Sequence, residues 1–178
     1  MIIWLASYPK SGNTWLRALL SAYYFSESGN FDTNLIQKIG QFPRKAFFSG
    51  YDYKINSVGS TSKYWIDAQD KINKDKKLKI FKTHNSLCVF NDNNFTNNKN
   101  TLGSIYIIRD PRNVITSLKN HFELDYEQSL KFMLSKNKYT YDSKLENDFS
   151  DFQFISSWEV HYRSWLNNKI FPIKLVKY

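Results

Sequence analysis

The chain has 178 residues, of which 42 % are hydrophobic and 17 % aromatic, and its formal net charge is +9. This composition excludes a disordered chain, and no apolar run approaches the about 20 residues that span a membrane. The lysines are scattered rather than gathered on a basic helix or arm, so the charge predicts a small anionic ligand rather than nucleic acid.

The amino-terminal residues and the cysteine content indicate the cellular setting. Residues 1–7 lack a basic region before their apolar run, so they predict a buried strand rather than a signal peptide. The single cysteine, Cys88, cannot form an internal disulfide. Both features favour a cytoplasmic protein without a membrane segment.

The apolar pattern predicts strands that alternate with helices. Short apolar or alternating runs predict strands, and apolar residues spaced three or four apart predict helices. Asn91–Asn100 is rich in asparagine and predicts a loop. The predicted strands are Ile2–Ser7, Leu78–Thr83, Ser104–Ile108 and Pro172–Tyr178, and the predicted helices are Thr14–Phe25, Ser62–Asn73, Pro111–Phe122, Tyr126–Ser135 and Phe149–Asn167. This order predicts an α/β fold in one domain over residues 1–178, a P-loop-like three-layer α/β/α sandwich around a parallel sheet.

The segment from Ser7 to Thr14 lies between the first strand and the first helix. A loop in this position directs backbone N–H groups at an anion, and the helix dipole adds attraction. The spacing nearly fits the P-loop pattern of nucleotide kinases, but Asn13 replaces the essential lysine and the lysine of this loop is Lys10. An ordinary strand-to-helix turn is the alternative.

The run Tyr-Pro-Lys-Ser-Gly-Asn-Thr-Trp closely resembles the phosphosulfate-binding loop of cytosolic-type sulfotransferases, which use 3'-phosphoadenylyl sulfate (PAPS) as donor. In that family the lysine likewise lies within the loop. The resemblance implies that loop amides and hydroxyls hold the 5'-phosphate, that the lysine contacts the bridging oxygen, and that the tryptophan packs on adenine. The implied donor-binding residues are Lys10, Ser11, Gly12, Asn13, Thr14 and Trp15.

A second strand-loop-helix unit follows at residues 104–122. Arg109 ends the strand, at the sheet edge where α/β proteins bind ligands, and its guanidinium suits a phosphate dianion. Ser117 lies two turns into the helix and points back toward the same anion. The pair resembles the 3'-phosphate-binding pair of the sulfotransferases. The alternative is a structural Arg–Asp pair with a surface serine, and Arg112 either forms a salt bridge or faces water.

His84 follows the middle strand, at the predicted edge of both loops. A neutral imidazole accepts a proton near neutral pH, although a lone histidine is more often structural. The triplet Lys-Thr-His resembles the catalytic segment of the family and implies His84 as general base, Lys82 as stabiliser of the transferring group and Lys10 as stabiliser of the leaving oxygen. No acidic pair is placed to hold Mg²⁺, so no metal is expected. By the same resemblance, His121 is interpreted as structural and His161 as part of a packing helix.

The resemblance implies transfer of a sulfuryl group from PAPS to a small acceptor with a hydroxyl (alcohol or phenol) or amine, leaving adenosine 3',5'-bisphosphate (PAP). The alternatives are a P-loop kinase or NTPase and a non-catalytic remnant that only binds nucleotide. In the family, further helices and a basic loop follow the last strand, so the C-terminal part of the family fold is expected to be missing here. Several aromatic residues between positions 26 and 75 either wall the acceptor pocket or belong to the core: Phe42, Phe47, Phe48, Tyr51 and Tyr53.

Overall fold

The structure is a computed structural model that describes residues 1–141 and 147–178. Its strands are β1 (Ile2–Ser7), β2 (Lys79–Thr83), β3 (Val89–Phe90), β4 (Asn93–Asn94), β5 (Thr101–Ile108), β6 (Tyr139–Thr140), β7 (Gln153–Phe154) and β8 (Ile173–Lys177). Its α-helices are α1 (Asn13–Phe25), α2 (Trp65–Ile72), α3 (Pro111–Phe122), α4 (Tyr126–Leu134) and α5 (Trp158–Leu166). No helix in these two ranges is long and apolar enough to cross a lipid bilayer.

The central sheet has four parallel strands in the order β2-β1-β5-β8, flanked by helices. This arrangement confirms the predicted α/β fold of P-loop-like type. In the register, Ala6 of β1 lies between Thr83 of β2 and Tyr106 of β5, so these three strands end at one edge. Residues that follow the strands therefore meet there, and the site is built at this carboxyl edge.

The core is unusually aromatic. Trp4 is fully buried on β1, donates its indole N–H to Thr101 Oγ1 (2.8 Å) and contacts the rings of Phe42 and Phe95. Phe42 and Phe48 belong to this cluster, and Phe47, Tyr51 and Tyr53 pack against it, which confirms the core alternative for these five residues. Their packing holds the irregular segment 40–44 beside β2, where the Phe42 N–H bonds to the Lys82 carbonyl oxygen (3.0 Å).

One predicted element is wrong. The long helix predicted over Phe149–Asn167 is helical only in α5, because β7 pairs with β6 and Ser156 has a left-handed backbone (φ 56°) that a helix cannot contain. Ser157 then caps α5 by accepting a hydrogen bond from the Val160 N–H. The loop predicted at Asn91–Asn100 is confirmed except at β4, which pairs with the preceding β3 across Asn91 and Asp92, two residues with positive φ.

Candidate active site

The β1–α1 loop forms an anion cradle. Gly12 is the N-cap of α1 in a left-handed conformation (φ 93°), and a Cβ there would collide with the Tyr178 ring. The first amides of α1 have no partner within the helix and point into the loop. The buried Ser11 hydroxyl has no hydrogen-bond partner among the described residues. These unsatisfied donors around a glycine fit a phosphate group.

Asn13 holds the loop together rather than presenting its side chain to a ligand. Its Nδ2 donates to the carbonyl oxygen of Leu5 (3.0 Å) and to Oγ of Ser7 (3.1 Å), and the side chain is buried. Only its backbone N–H is therefore available to an anion. This position, which holds lysine in nucleotide kinases, has a structural role in this loop.

Arg109 joins the second loop to the first. Its Nη1 donates to the Lys10 carbonyl oxygen (2.9 Å), and its guanidinium lies 5.0 Å from the centre of the Tyr178 ring. No salt bridge to Arg109 is formed within the described ranges, so its remaining N–H groups are free for an anion. The adjacent Asp110 instead caps α3 and pairs with Arg112 (2.5 Å), which settles the open question about Arg112 in favour of a salt bridge.

A main cavity of about 600 Å³ lies between the two loops. The predicted residues on its wall are Lys10, Gly12, Asn13, Thr14, Trp15, His84, Arg109 and Ser117. Two predicted residues, Ser11 and Lys82, are not on this wall. The wall also includes residues that sequence reasoning did not assign to the site: Pro9, His121, Phe122, Phe132, Thr140, Tyr141 and Tyr178. His121 is thus exposed at the cavity, contrary to its interpretation as structural.

His84 is held in one tautomer by Ser7, the last residue of β1. Its Nδ1 lies 2.8 Å from the Ser7 carbonyl oxygen, which can only accept a hydrogen bond. Nδ1 therefore carries the proton, and Nε2 is left with its lone pair. The backbone N–H of His84 donates to Gln153 Oε1 (2.7 Å), which fixes the residue from the other side. An imidazole held in this tautomer can accept a proton at Nε2.

The charges near His84 keep its imidazole neutral. Burial and the Lys82 ammonium hold the pKa of His84 well below its usual range. Burial, with a smaller contribution from Arg17, lowers the pKa of Lys82 to about 8, so Lys82 is still mostly protonated at neutral pH. Burial and the Arg109 charge also lower the pKa of Lys10. The site therefore combines a neutral base with three cations.

His161 supports the base from the core. Its Nε2–H donates to the His84 carbonyl oxygen (3.0 Å), and its Nδ1 accepts from the Tyr106 hydroxyl (2.8 Å). The ring is fully buried, and burial lowers its pKa to about 4. Sequence reasoning placed His161 in a packing helix without this contact, because the pairing joins residues 77 positions apart.

These two buried histidines predict acid sensitivity. Because their folded pKa values lie below the unfolded value of about 6.5, the unfolded chain binds more protons as the pH falls, and stability drops. For His161 the loss between about pH 7.5 and pH 5 is on the order of 2 kcal/mol. Urea unfolding at both pH values measures it, and His161→Gln should show a shallower loss. Equal stability at both pH values would contradict the neutral state of these histidines.

A second cavity of about 290 Å³ lies on the other side of His84. It shares His84, Thr140 and Tyr141 with the main cavity, so the two cavities meet at the base. Lys82 lies on this side, where its Nζ donates to Gln41 Oε1 (2.8 Å). The remaining wall residues are Gln41, Arg44, Asp151 and Gln153. No local pattern marks these residues, because segment 40–44 is brought to β2 only by tertiary packing.

Two loops that carry Lys10 and Arg109 lie at the carboxyl edge of a parallel sheet with His84 between them, an arrangement that suits an anionic ligand in an α/β protein. The family model described as "Sulfotransferase domain" matches residues 2–174, and the chain belongs to this family of sulfotransferases. Among curated proteins, none matches the chain significantly. Within residues 1–141 and 147–178, no group of three or more His, Cys, Asp or Glu side chains is arranged to hold a metal ion.

Proposed function

We propose that this sulfotransferase uses PAPS as donor and transfers its sulfuryl group to the hydroxyl or amine of a small acceptor, with His84 as general base. PAP is the product released from the donor. The donor occupies the main cavity and the acceptor occupies the second cavity. The contact between the two cavities at His84 supports this assignment, since it places both partners beside one base.

The residues of the main cavity fit the donor. The amides of the Gly12 loop and the Thr14 hydroxyl hold the 5'-phosphate, and the half-exposed Trp15 ring (54 % exposed) offers a face to adenine. Arg109 and Ser117, on the wall of the same cavity, hold the 3'-phosphate. The donor, when bound, supplies the sulfuryl group and a phosphate leaving oxygen.

Three side chains have separate roles in the transfer step. His84 Nε2 accepts the proton of the acceptor hydroxyl or amine, because Nδ1 is engaged by the Ser7 carbonyl oxygen. Lys10 neutralises charge that develops on the leaving oxygen, and Lys82 neutralises charge on the transferring group from the acceptor side. Catalysis by these groups is positioning plus charge stabilisation, as in phosphoryl transfer.

The single observation that carries the proposal is the position of His84. Its ring is fixed by the Ser7 carbonyl oxygen, and it lies on the walls of both cavities. Incubation of the protein with PAPS tests it, with PAP measured with and without a mixture of phenols, alcohols and amines. Acceptor-dependent PAP release is expected. Failure to form PAP with any acceptor, by a protein that binds PAP, would count against the activity.

Replacement of Arg109 by Ala is expected to weaken binding of PAP much more than binding of adenosine 5'-phosphosulfate, which lacks the 3'-phosphate. Hydrogen bonds to a charged group contribute about 1.5–3 kcal/mol, so the loss for PAP is roughly tenfold to a hundredfold. Titration calorimetry with both ligands measures the difference. Arg112→Ala is the control, because its guanidinium is exposed and paired with Asp110. Equal losses for both ligands would remove Arg109 from the 3'-phosphate site.

We also propose a cytoplasmic setting and no nucleic-acid partner. The single cysteine supports the first, and the scattered distribution of the lysines supports the second.

A further inference from the structure

The second cavity beside His84 is polar on nearly all its walls. Of the eight described residues that line it, only Tyr141 carries a phenyl ring and none is aliphatic. The neighbouring Phe42 and Phe47 turn into the aromatic core instead. An apolar acceptor in this cavity would remove water from the charged groups without offering them new hydrogen-bond partners, and this desolvation is unfavourable in free energy. The cavity therefore selects a hydrophilic molecule, and its volume of about 290 Å³ suits a small one.

The charges on the wall favour an anion. Arg44 lines the cavity, and its guanidinium forms no hydrogen bond or ion pair with any residue in the described part of the chain. The Lys82 ammonium donates to the neutral amide of Gln41. The wall also contains one carboxylate, Asp151, whose Oδ1 accepts from the Lys45 backbone N–H (2.6 Å). Among the described wall residues, two cations thus face the cavity against one carboxylate.

The unpaired guanidinium is the feature that points to a ligand. A guanidinium presents a planar set of N–H donors that matches a carboxylate or another oxyanion. The surrounding structure supplies Arg44 with no such group within the described residues, although it does so for Arg112 through Asp110 and for Arg163 through Glu159. Arg44 is therefore available to a bound anion beside the catalytic base.

We infer that the acceptor is a small hydrophilic molecule with an anionic group, held by Arg44 and Lys82 while its hydroxyl or amine faces His84. The inference rests on the proposed function and adds to it the chemical class of the acceptor. Arg44 is the residue that determines this specificity. Gln153 adds a further polar side chain to the same wall.

A matched pair of acceptors tests the inference. 4-Hydroxyphenylacetate and 4-hydroxyphenylacetamide share one phenol and nearly one size, but only the first is charged at neutral pH. Calorimetry on the PAP-loaded protein is expected to show about tenfold or tighter binding of the carboxylate, the effect of a charged hydrogen bond. With PAPS present, kcat/KM should show the same preference, and 2-naphthol should be a poorer acceptor than the carboxylate.

Variants assign the preference to Arg44. Arg44→Gln is expected to raise KM for the carboxylate about tenfold, with kcat within a few-fold and PAP binding unchanged, and to reduce the preference to a few-fold. Arg44→Lys should keep part of the preference. Arg163→Gln is the matched control, because Arg163 is exposed, paired with Glu159 and absent from both cavity walls, and it should behave as the unmodified protein.

The outcomes separate this inference from the proposed function. Equal binding of the two acceptors, no binding of the carboxylate, or a preference that persists in Arg44→Gln would overturn the acceptor class while PAP binding remains intact. Failure to bind PAP would instead overturn the proposed function, and the inference would fall with it.

Discussion

His84→Ala is expected to lower turnover by about 10²-fold or more, the scale of a lost general base. The reason is geometric. The Ser7 carbonyl oxygen fixes the proton on Nδ1, so Nε2 is the nitrogen available to the acceptor at the junction of the two cavities. Because the pKa of His84 lies well below 6.5, kcat/KM should be level around neutral pH and fall only under more acidic conditions.

Steady-state kinetics with PAPS, combined with PAP calorimetry, measures this effect and separates it from damage to the fold. PAP affinity should stay within a few-fold in His84→Ala, since the donor contacts come from the two loops. The acid decline of kcat/KM should also disappear in the variant. Turnover within a few-fold of the unmodified protein would remove His84 from the chemistry.

Lys10→Ala is expected to reduce turnover by a similar factor, about 10²-fold, because charge stabilisation at a leaving oxygen in an enclosed site is of this size. Lys10 lies on the main cavity wall beside the guanidinium of Arg109, and the repulsion between them is relieved when an anion binds. The backbone carbonyl of residue 10 that receives the Arg109 hydrogen bond is retained in alanine, so the loop itself should persist.

The control for this variant is Lys99→Ala. Lys99 is exposed and paired with Asp70 at the start of β5, at the opposite edge of the sheet from the loops. It should leave turnover and PAP affinity unchanged. A Lys10→Ala protein with a much larger loss in KM than in kcat would indicate a role for Lys10 in binding rather than in the transition state.

Local sequence patterns predicted most of the elements that carry the site. β1 with α1, and β5 with α3, follow from the apolar periodicity of their segments. Parallel strands end at one edge, so the meeting of the two loops with His84 could also be predicted. The true start of α5 within Phe149–Asn167 could not be predicted. The residues before α5 include β7, which pairs with β6, and apolar periodicity does not encode that contact.

The second cavity could not be predicted from the sequence either, because it also depends on contacts between segments that are distant in the chain. Gln41 and Arg44 lie in an irregular segment, and only the aromatic core beneath it brings them to Lys82. The buried partner of the base, His161, likewise depends on a contact between α5 and the end of β2. The single-domain extent and the expected loss of the C-terminal part of the family fold stay predictions.

Direct comparison of PAP and ATP binding by titration calorimetry tests whether the two loops form a site for a 3'-phosphorylated nucleotide. Arg109 and Ser117 line the main cavity and are proposed to hold a 3'-phosphate, which ATP lacks, and Asn13 replaces the lysine that nucleotide kinases use. PAP is expected to bind at least about tenfold more tightly than ATP. ATP binding as tight as PAP binding, or no binding of PAP, would contradict the assignment of this site to sulfuryl transfer from PAPS.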